Sequence, residues 1–232
     1  MKPTQHITIF AAVFMMMLPT LAQEATKHVI PFVTAGYNYS HFCVNLDGRN
    51  SFNAGGGAIF PMFNRGLVGI RPQLLYIQKG ARSHFEVYKK ERTVKFDANY
   101  LELPVDLVIS GRPLATRFNI SALCGLYFAY GIGGKTTASD GIYLYNRYHV
   151  GDKPSTFGDE MNGRRFDWGF RLGVMARLDR YFATIAIEPG VKKVMDSRIT
   201  RSYWNDSPTN MAILLNIGYE LGSSGNSSGK RH

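Results

Sequence analysis

The stretch Phe166-Asp-Trp-Gly-Phe-Arg-Leu-Gly-Val-Met-Ala-Arg-Leu178 decides the fold. Phe166, Trp168, Phe170, Leu172, Val174, Ala176 and Leu178 fall on one side of an extended chain, and Asp167, Gly169, Arg171, Gly173, Met175 and Arg177 on the other. Side chains of a strand alternate between faces, so a strict period of two specifies a strand with one apolar face.

The same alternation recurs on either side. Leu101, Leu103, Val105, Leu107 and Ile109 alternate with Glu102, Pro104, Asp106 and Val108. Val68 to Tyr76 sets Gly69, Arg71, Gln73 and Leu75 on its second face. Ile120 to Phe128 opposes Asn119, Ser121, Gly125 and Tyr127, with Leu123 off the pattern. Tyr181 to Val191 opposes Thr184, Glu188, Gly190 and Lys192, and Met211 to Leu221 opposes Asn216, Gly218 and Glu220. Val29 to Val44 and Phe52 to Phe60 are weaker, glycine-rich strands. Eight strands are predicted. Pro61 to Gly66, Gly111 to Thr116 and Asp179-Arg180 are short connections, whereas Asn45 to Ser51, Ala81 to Thr93, Thr136 to Arg164 and Met195 to Thr209 are longer and polar. Short turns at one end and long loops at the other predict an all-β fold, an eight-stranded antiparallel up-and-down transmembrane β-barrel with both termini periplasmic.

Alternation alone does not say which face points inward, and a soluble lipocalin-like carrier alternates too. The polar face, however, couples glycines to charges: Arg71, Glu102, Asp106, Asp167, Arg171, Glu188 and Lys192 beside Gly125, Gly169, Gly173, Gly190 and Gly218. A narrow lumen accepts that mixture as a charge-paired plug. Tyr37, Tyr39, Phe52, Tyr76, Phe128, Tyr130, Phe166 and Trp168 at the loop end, with Phe60, Phe118, Tyr181 and Tyr219 at the turn end, make two aromatic girdles. Lipid satisfies no backbone hydrogen bond, so the strands must close on themselves.

Composition bounds the remaining choices. The chain has 232 residues, 45% hydrophobic, 13% aromatic and 19% charged, with a formal charge of +10. Disorder, collagen, coiled coil and disulfide scaffold are excluded. The basic excess is scattered through Lys89-Lys90-Glu91-Arg92, Asn162-Gly163-Arg164-Arg165 and Lys230-Arg231, so no nucleic-acid partner is expected. Lys2, the apolar run Ile7 to Leu18, Pro19 and Thr20-Leu21-Ala22 read as a signal peptide over residues 1–22, cut before Gln23. The barrel is expected over 23–221 and a flexible tail over 222–232. Cys43 and Cys124 are expected to be free, buried thiols.

Arg71-Pro-Gln-Leu-Leu-Tyr-Ile-Gln-Lys-Gly80 followed by Tyr100-Leu-Glu-Leu-Pro-Val-Asp-Leu107 resembles the paired-strand signature of PorT-like outer-membrane β-barrels of the Bacteroidota. Gly125 to Tyr130 and Asp167 to Gly173 fit the later repeats of that family. The resemblance spans about Ile30 to Leu221 and implies an outer-membrane barrel of a Gram-negative bacterium with no assigned enzymatic activity, some of whose relatives assist protein secretion.

Motifs for other chemistry are weak. Ala129-Tyr-Gly-Ile-Gly-Gly-Lys-Thr136 mimics a phosphate loop but lacks the helix that must follow. Ser40-His41, Ser83-His84 and Tyr148-His149 are adjacent in sequence, which is not the geometry of a nucleophile and its base; a lipid-modifying enzyme at the rim would depend on His84 or His149. Asp140, Asp152, Asp159 and Glu160 lack calcium-loop spacing. No metal and no cofactor are expected. The longest loop supplies Tyr143, Tyr145, Arg147, Tyr148, Lys153 and Arg164, an aromatic and basic surface suited to lipopolysaccharide phosphates, a glycan or a protein. The expected protein is therefore a monomer in outer-membrane lipid, structural or surface-binding in role.

Overall fold

The computed structural model describes residues 29–42, 47–62, 67–87, 90–112, 117–138, 153–157, 163–194 and 209–221. The expected signal segment and C-terminal tail lie outside them. Nine strands follow in chain order: β1 (Ile30–Phe42), β2 (Asp47–Pro61), β3 (Val68–Val87), β4 (Lys90–Ser110), β5 (Phe118–Gly133), β6 (Thr136–Ala138), β7 (Phe166–Leu178), β8 (Tyr181–Lys193) and β9 (Thr209–Glu220). All pair antiparallel. The order β3-β2-β1-β9-β8-β7-β5-β4, with β3 also paired to β4, closes eight long strands into a barrel. The seam joins β1 to β9 from Phe32↔Glu220 to Phe42↔Asn210.

The alternation sorts as an outward apolar face demands. Phe170, Leu172, Val174 and Leu178 on β7, Ile185 and Ile187 on β8, and Leu215 and Ile217 on β9 are exposed, and their neighbours in sequence are mostly buried. The barrel is thus the inverse of a soluble carrier, with charge inside and hydrocarbon outside. At the turn end β7 and β8 are joined through Asp179, whose φ of 54° lies in the left-handed region that Asp tolerates.

Four expectations need correction. Ala81 to Thr93 is not a loop: β3 and β4 remain paired from Ala81↔Phe96 out to Val87↔Lys90. These strands run to 20 and 21 residues, about twice the 9–11 that cross a membrane, so the hairpin stands well clear of the bilayer. Likewise β2 begins at Asp47, taking in most of the expected loop Asn45 to Ser51. The segment that follows the rejected phosphate-loop mimic is not featureless either. Gly134, with φ 148°, breaks β5, and β6 resumes the same ladder against β4 from Phe96↔Thr136 to Val94↔Ala138, so the long segment Thr136 to Arg164 contains an element. Finally, Cys124 is exposed on the outward face, because it shares the phase of Ile120 and Leu126. Cys43 lies outside the described residues. The off-pattern Leu123 faces inward, where it joins an apolar layer.

Candidate functional site

The lumen is built in layers. Near the turn end Phe32, Ile59, Val108, Leu123, Met175 and Phe182 form an apolar layer. Toward the loop end Ile77, Ala98, Tyr100, Tyr127, Ala129, Phe157, Ala212 and Leu214 form a second. Between them lies a band of charge. Arg71 sits between the rings of Phe32 and Phe182, 4.5 and 5.1 Å from their centroids, and 3.7 Å from Asp106. Gln73 donates to Asp106 at 3.1 Å, and Arg171 Nε lies 3.3 Å from its other oxygen. Arg171 also pairs with Glu188. Lys79 Nζ lies 2.6 Å from Glu102 and 3.2 Å from Glu188, over the Tyr127 ring at 4.2 Å. The Tyr127 hydroxyl and the Asn210 amide both donate to Asp167, at 3.2 and 2.8 Å.

Most of these bonds join neighbouring strands, Arg71–Asp106 and Lys79–Glu102 between β3 and β4 and Arg171–Glu188 between β7 and β8, and one crosses the lumen. Arg71 and Lys79 are on β3, Glu102 and Asp106 on β4, Arg171 on β7 and Glu188 on β8. Arg171 therefore reaches Asp106 over Gly125 of the intervening β5, and Lys79–Glu188, four strands apart, ties one side of the barrel to the other. Buried charges demand partners because their desolvation costs several kcal/mol per ion, and three cations interleaved with four carboxylates supply them. Glycines make the space: a Cβ at Gly169 or Gly190 would lie 2.8 or 2.9 Å from the Tyr127 side chain. Below the band, Arg177 and Glu220 form a separate pair at 3.1 Å.

Of the charged residues expected in this network, Arg71, Glu102, Asp106, Asp167, Arg171 and Glu188 are buried within it. Lys192 is not. The ladder between β8 and β9 is irregular between Pro189 and Lys193, and the Lys192 ammonium lies 4.7 Å over the Phe166 ring instead. The cation that sequence reasoning missed is Lys79. Its signal was parity with Arg71: extending β3 beyond Tyr76 puts residue 79 on the inner face.

The mouth is covered by part of the long loop. Phe157 packs edge-on against Tyr100 with centroids 5.4 Å apart, under Arg165 at 5.6 Å. Thr156 donates to the Asp97 carbonyl at 2.7 Å, and the Thr136 amide donates to Pro154 at 2.9 Å. Of the expected binding surface, Lys153 and Arg164 are exposed, and Tyr143, Tyr145, Arg147 and Tyr148 lie outside the described residues, as do His149 and the four acids Asp140, Asp152, Asp159 and Glu160. Ser40 and His41 do not form a dyad. Alternation sends them to opposite faces, and the Ser40 hydroxyl donates to the Gly80 carbonyl and accepts from the Gly80 amide at 3.1 and 3.0 Å. The side chains of Ser83 and His84 are not among those described. Among the described residues no group of His, Cys, Asp and Glu is arranged to hold a metal ion.

A closed barrel with an apolar exterior and a charged core matches a known protein class. The profile of the outer membrane protein beta-barrel domain aligns with residues 22–192. The chain belongs to that family. It is an outer-membrane β-barrel protein. No curated protein matches the chain. Among solved structures it is similar to Ail, the attachment invasion locus protein of Yersinia pestis, crystallised with the heparin analogue sucrose octasulfate (15% identity, 84% of this chain and 100% of that one, TM-score 0.45). Neisserial surface protein A (8%, 84% and 100%, 0.46) and the N-terminal barrel of Pseudomonas aeruginosa OprF (7%, 82% and 97%, 0.33) are also similar. At those scores the likenesses carry no weight for function.

Proposed function

We propose that this barrel is a plugged, non-enzymatic monomer of the Gram-negative outer membrane that acts at its outer surface, with both termini periplasmic and its outer loops in contact with lipopolysaccharide and a glycan or protein partner. On the residues Arg71 to Gly80 and Tyr100 to Leu107 it falls with the PorT-like barrels of the Bacteroidota. The observation that carries the reading is the cross-lumen network of Lys79, Arg171, Glu102, Asp106 and Glu188, buried between two apolar layers. A lumen filled in this way leaves the exterior as the working surface.

The β3–β4 hairpin supports an acidic partner. Arg82 and Lys95 are directly opposite one another and exposed. Like charges so placed destabilise a sheet; Asp47 faces Arg82 from β2, and an anion beside Lys95 would lower what repulsion is left. Tyr143, Tyr145, Arg147, Tyr148, Lys153 and Arg164 extend the same chemistry.

Two measurements test this. In planar bilayers the purified protein should give no steady ionic current, and a stable open channel would overturn the plugged reading. Binding of the full chain to lipopolysaccharide should fall on changing Arg82 and Lys95 together to Gln, and binding to an acidic polysaccharide on changing Tyr143, Tyr145 and Arg147 to Ala. Unchanged binding in both cases would remove the surface role.

A further inference from the structure

The lipid-facing wall is indented near the turn end. Ala176 and Ala183 are partners across β7 and β8, Ile217 faces Ala183 from β9, and Ala35 faces Ile217 from β1. The three alanines floor an apolar groove of about 660 Å³. The next row toward the turns forms its wall: Phe118, then Tyr181 and Tyr219, whose rings lie 5.1 Å apart. Tyr181 and Ile217 are 69% and 71% exposed; the alanines are exposed too, but their side chains end at Cβ and so leave a lower floor beside these longer ones.

Charge collects at the end of this groove. Arg180 Nη1 donates to the Tyr219 hydroxyl at 3.5 Å, which holds a guanidinium against the groove wall. Arg117, next to Phe118, pairs with Asp179 at 3.0 Å, and Arg112 is exposed close by in the chain. Arg177 is spoken for by Glu220 inside the barrel. Among the described residues the rim therefore carries three guanidinium groups against one exposed carboxylate.

A groove in lipid must be filled, since an empty one forfeits the dispersion contacts of its lining. An open apolar groove takes a methylene chain, and an adjacent guanidinium pairs with phosphate through parallel N–H donors. We propose that this groove is a specific site for a single acidic glycerophospholipid, its acyl chain over Ala35, Ala176 and Ala183 and its phosphate on Arg180 and Arg117. With the turns periplasmic, the site faces the leaflet opposite the lipopolysaccharide, and it is independent of any ligand of the outer loops.

The test is native mass spectrometry of the full chain in detergent, with heat-modifiable gel migration as the control for folding. Phosphatidylglycerol is the probe. Diacylglycerol, with chains and no phosphate, and glycerol 3-phosphate, with phosphate and no chain, are the competitors. One phosphatidylglycerol should stay bound per barrel, and neither competitor should displace it. Each arginine near an anionic headgroup contributes about fivefold, so Arg117→Gln with Arg180→Gln should weaken retention roughly 25-fold. Ala183→Phe, which fills the floor, should abolish it. Equal retention of diacylglycerol, displacement by glycerol 3-phosphate alone, or unchanged retention in both variants would overturn the proposal. The competition on the unaltered protein decides the matter even where a variant does not fold.

Discussion

Replacing Lys79 by Met should be among the most damaging single changes in the barrel. Its ammonium lies 2.6 Å from Glu102 and 3.2 Å from Glu188. At an effective dielectric constant of about 20 these contacts carry roughly 6 and 5 kcal/mol of attraction, most of it offset by the cost of desolvating the ions. What decides the outcome is the state left behind. The network holds three cations against four carboxylates, and Lys79→Met leaves two against four, with two acids that had shared one ammonium. Breaking a buried pair from one side costs about 3–5 kcal/mol. Adding Glu102→Gln restores a deficit of one charge, so the double variant should recover about 1–3 kcal/mol through coupling between the two sites. Lys192→Ala, which gives up only a ring contact, should cost about 1 kcal/mol or less. The assay is urea unfolding in lipid vesicles, followed by tryptophan fluorescence and by the migration of unheated samples. If Lys79→Met stays within about 1 kcal/mol of the parent, or the double variant is as weak as the sum of the singles, the network is not what holds the lumen.

Three further outcomes are expected. In a Cys43→Ser background a charged maleimide should leave Cys124 unlabelled in vesicles, where the lipid-facing thiol stays protonated, and should label it once the protein is unfolded in urea; labelling in intact vesicles would reverse the assignment of faces. Gly190→Ala brings a Cβ within 2.8 Å of the Asn210 carbonyl and 2.9 Å of the Tyr127 hydroxyl, and should lower stability by about 1–3 kcal/mol through overpacking. Phe157→Ala removes the ring that covers Tyr100, so amide exchange at Thr156 and Gly163 should quicken about tenfold while β7 is unaffected, as local opening requires.

The membrane-spanning part of the fold was legible because two solvents meet at the barrel wall. Lipid outside and a tight polar lumen inside force each β7 side chain to one side, and the alternation from Phe166 to Leu178 records that division. Ala81 to Thr93 lacks a sustained apolar alternation in its sequence and so reads as a loop, although β3 and β4 stay paired from Ala81↔Phe96 to Val87↔Lys90. The same reasoning explains the site. Arg71, Glu102, Asp106, Asp167, Arg171 and Glu188 lie where alternation is strict. Lys79 was lost because β3 was ended at Tyr76, and Lys192 was misplaced because an irregularity in hydrogen-bond register leaves no mark in composition. The groove near Ala183 was invisible for another reason: Ala35, Ala176 and Ala183 come from three strands, and only their pairing through Ile217 brings them into one row.

The seam between β1 and β9 sets the order in which this wall can be finished. Phe32 meets Glu220 and Phe42 meets Asn210, so among the described residues the first strand and the last are each other's partners. Without Thr209 to Glu220, β1 and β8 would each present an edge of unpaired amides and carbonyls, the surface on which strands of other chains add. Completion is then all or nothing: a chain cut short by one strand has two sticky margins and no enclosed centre, and the charges that plug the finished lumen face whatever solvent or lipid surrounds it. Both hazards end at the moment the two extremities join.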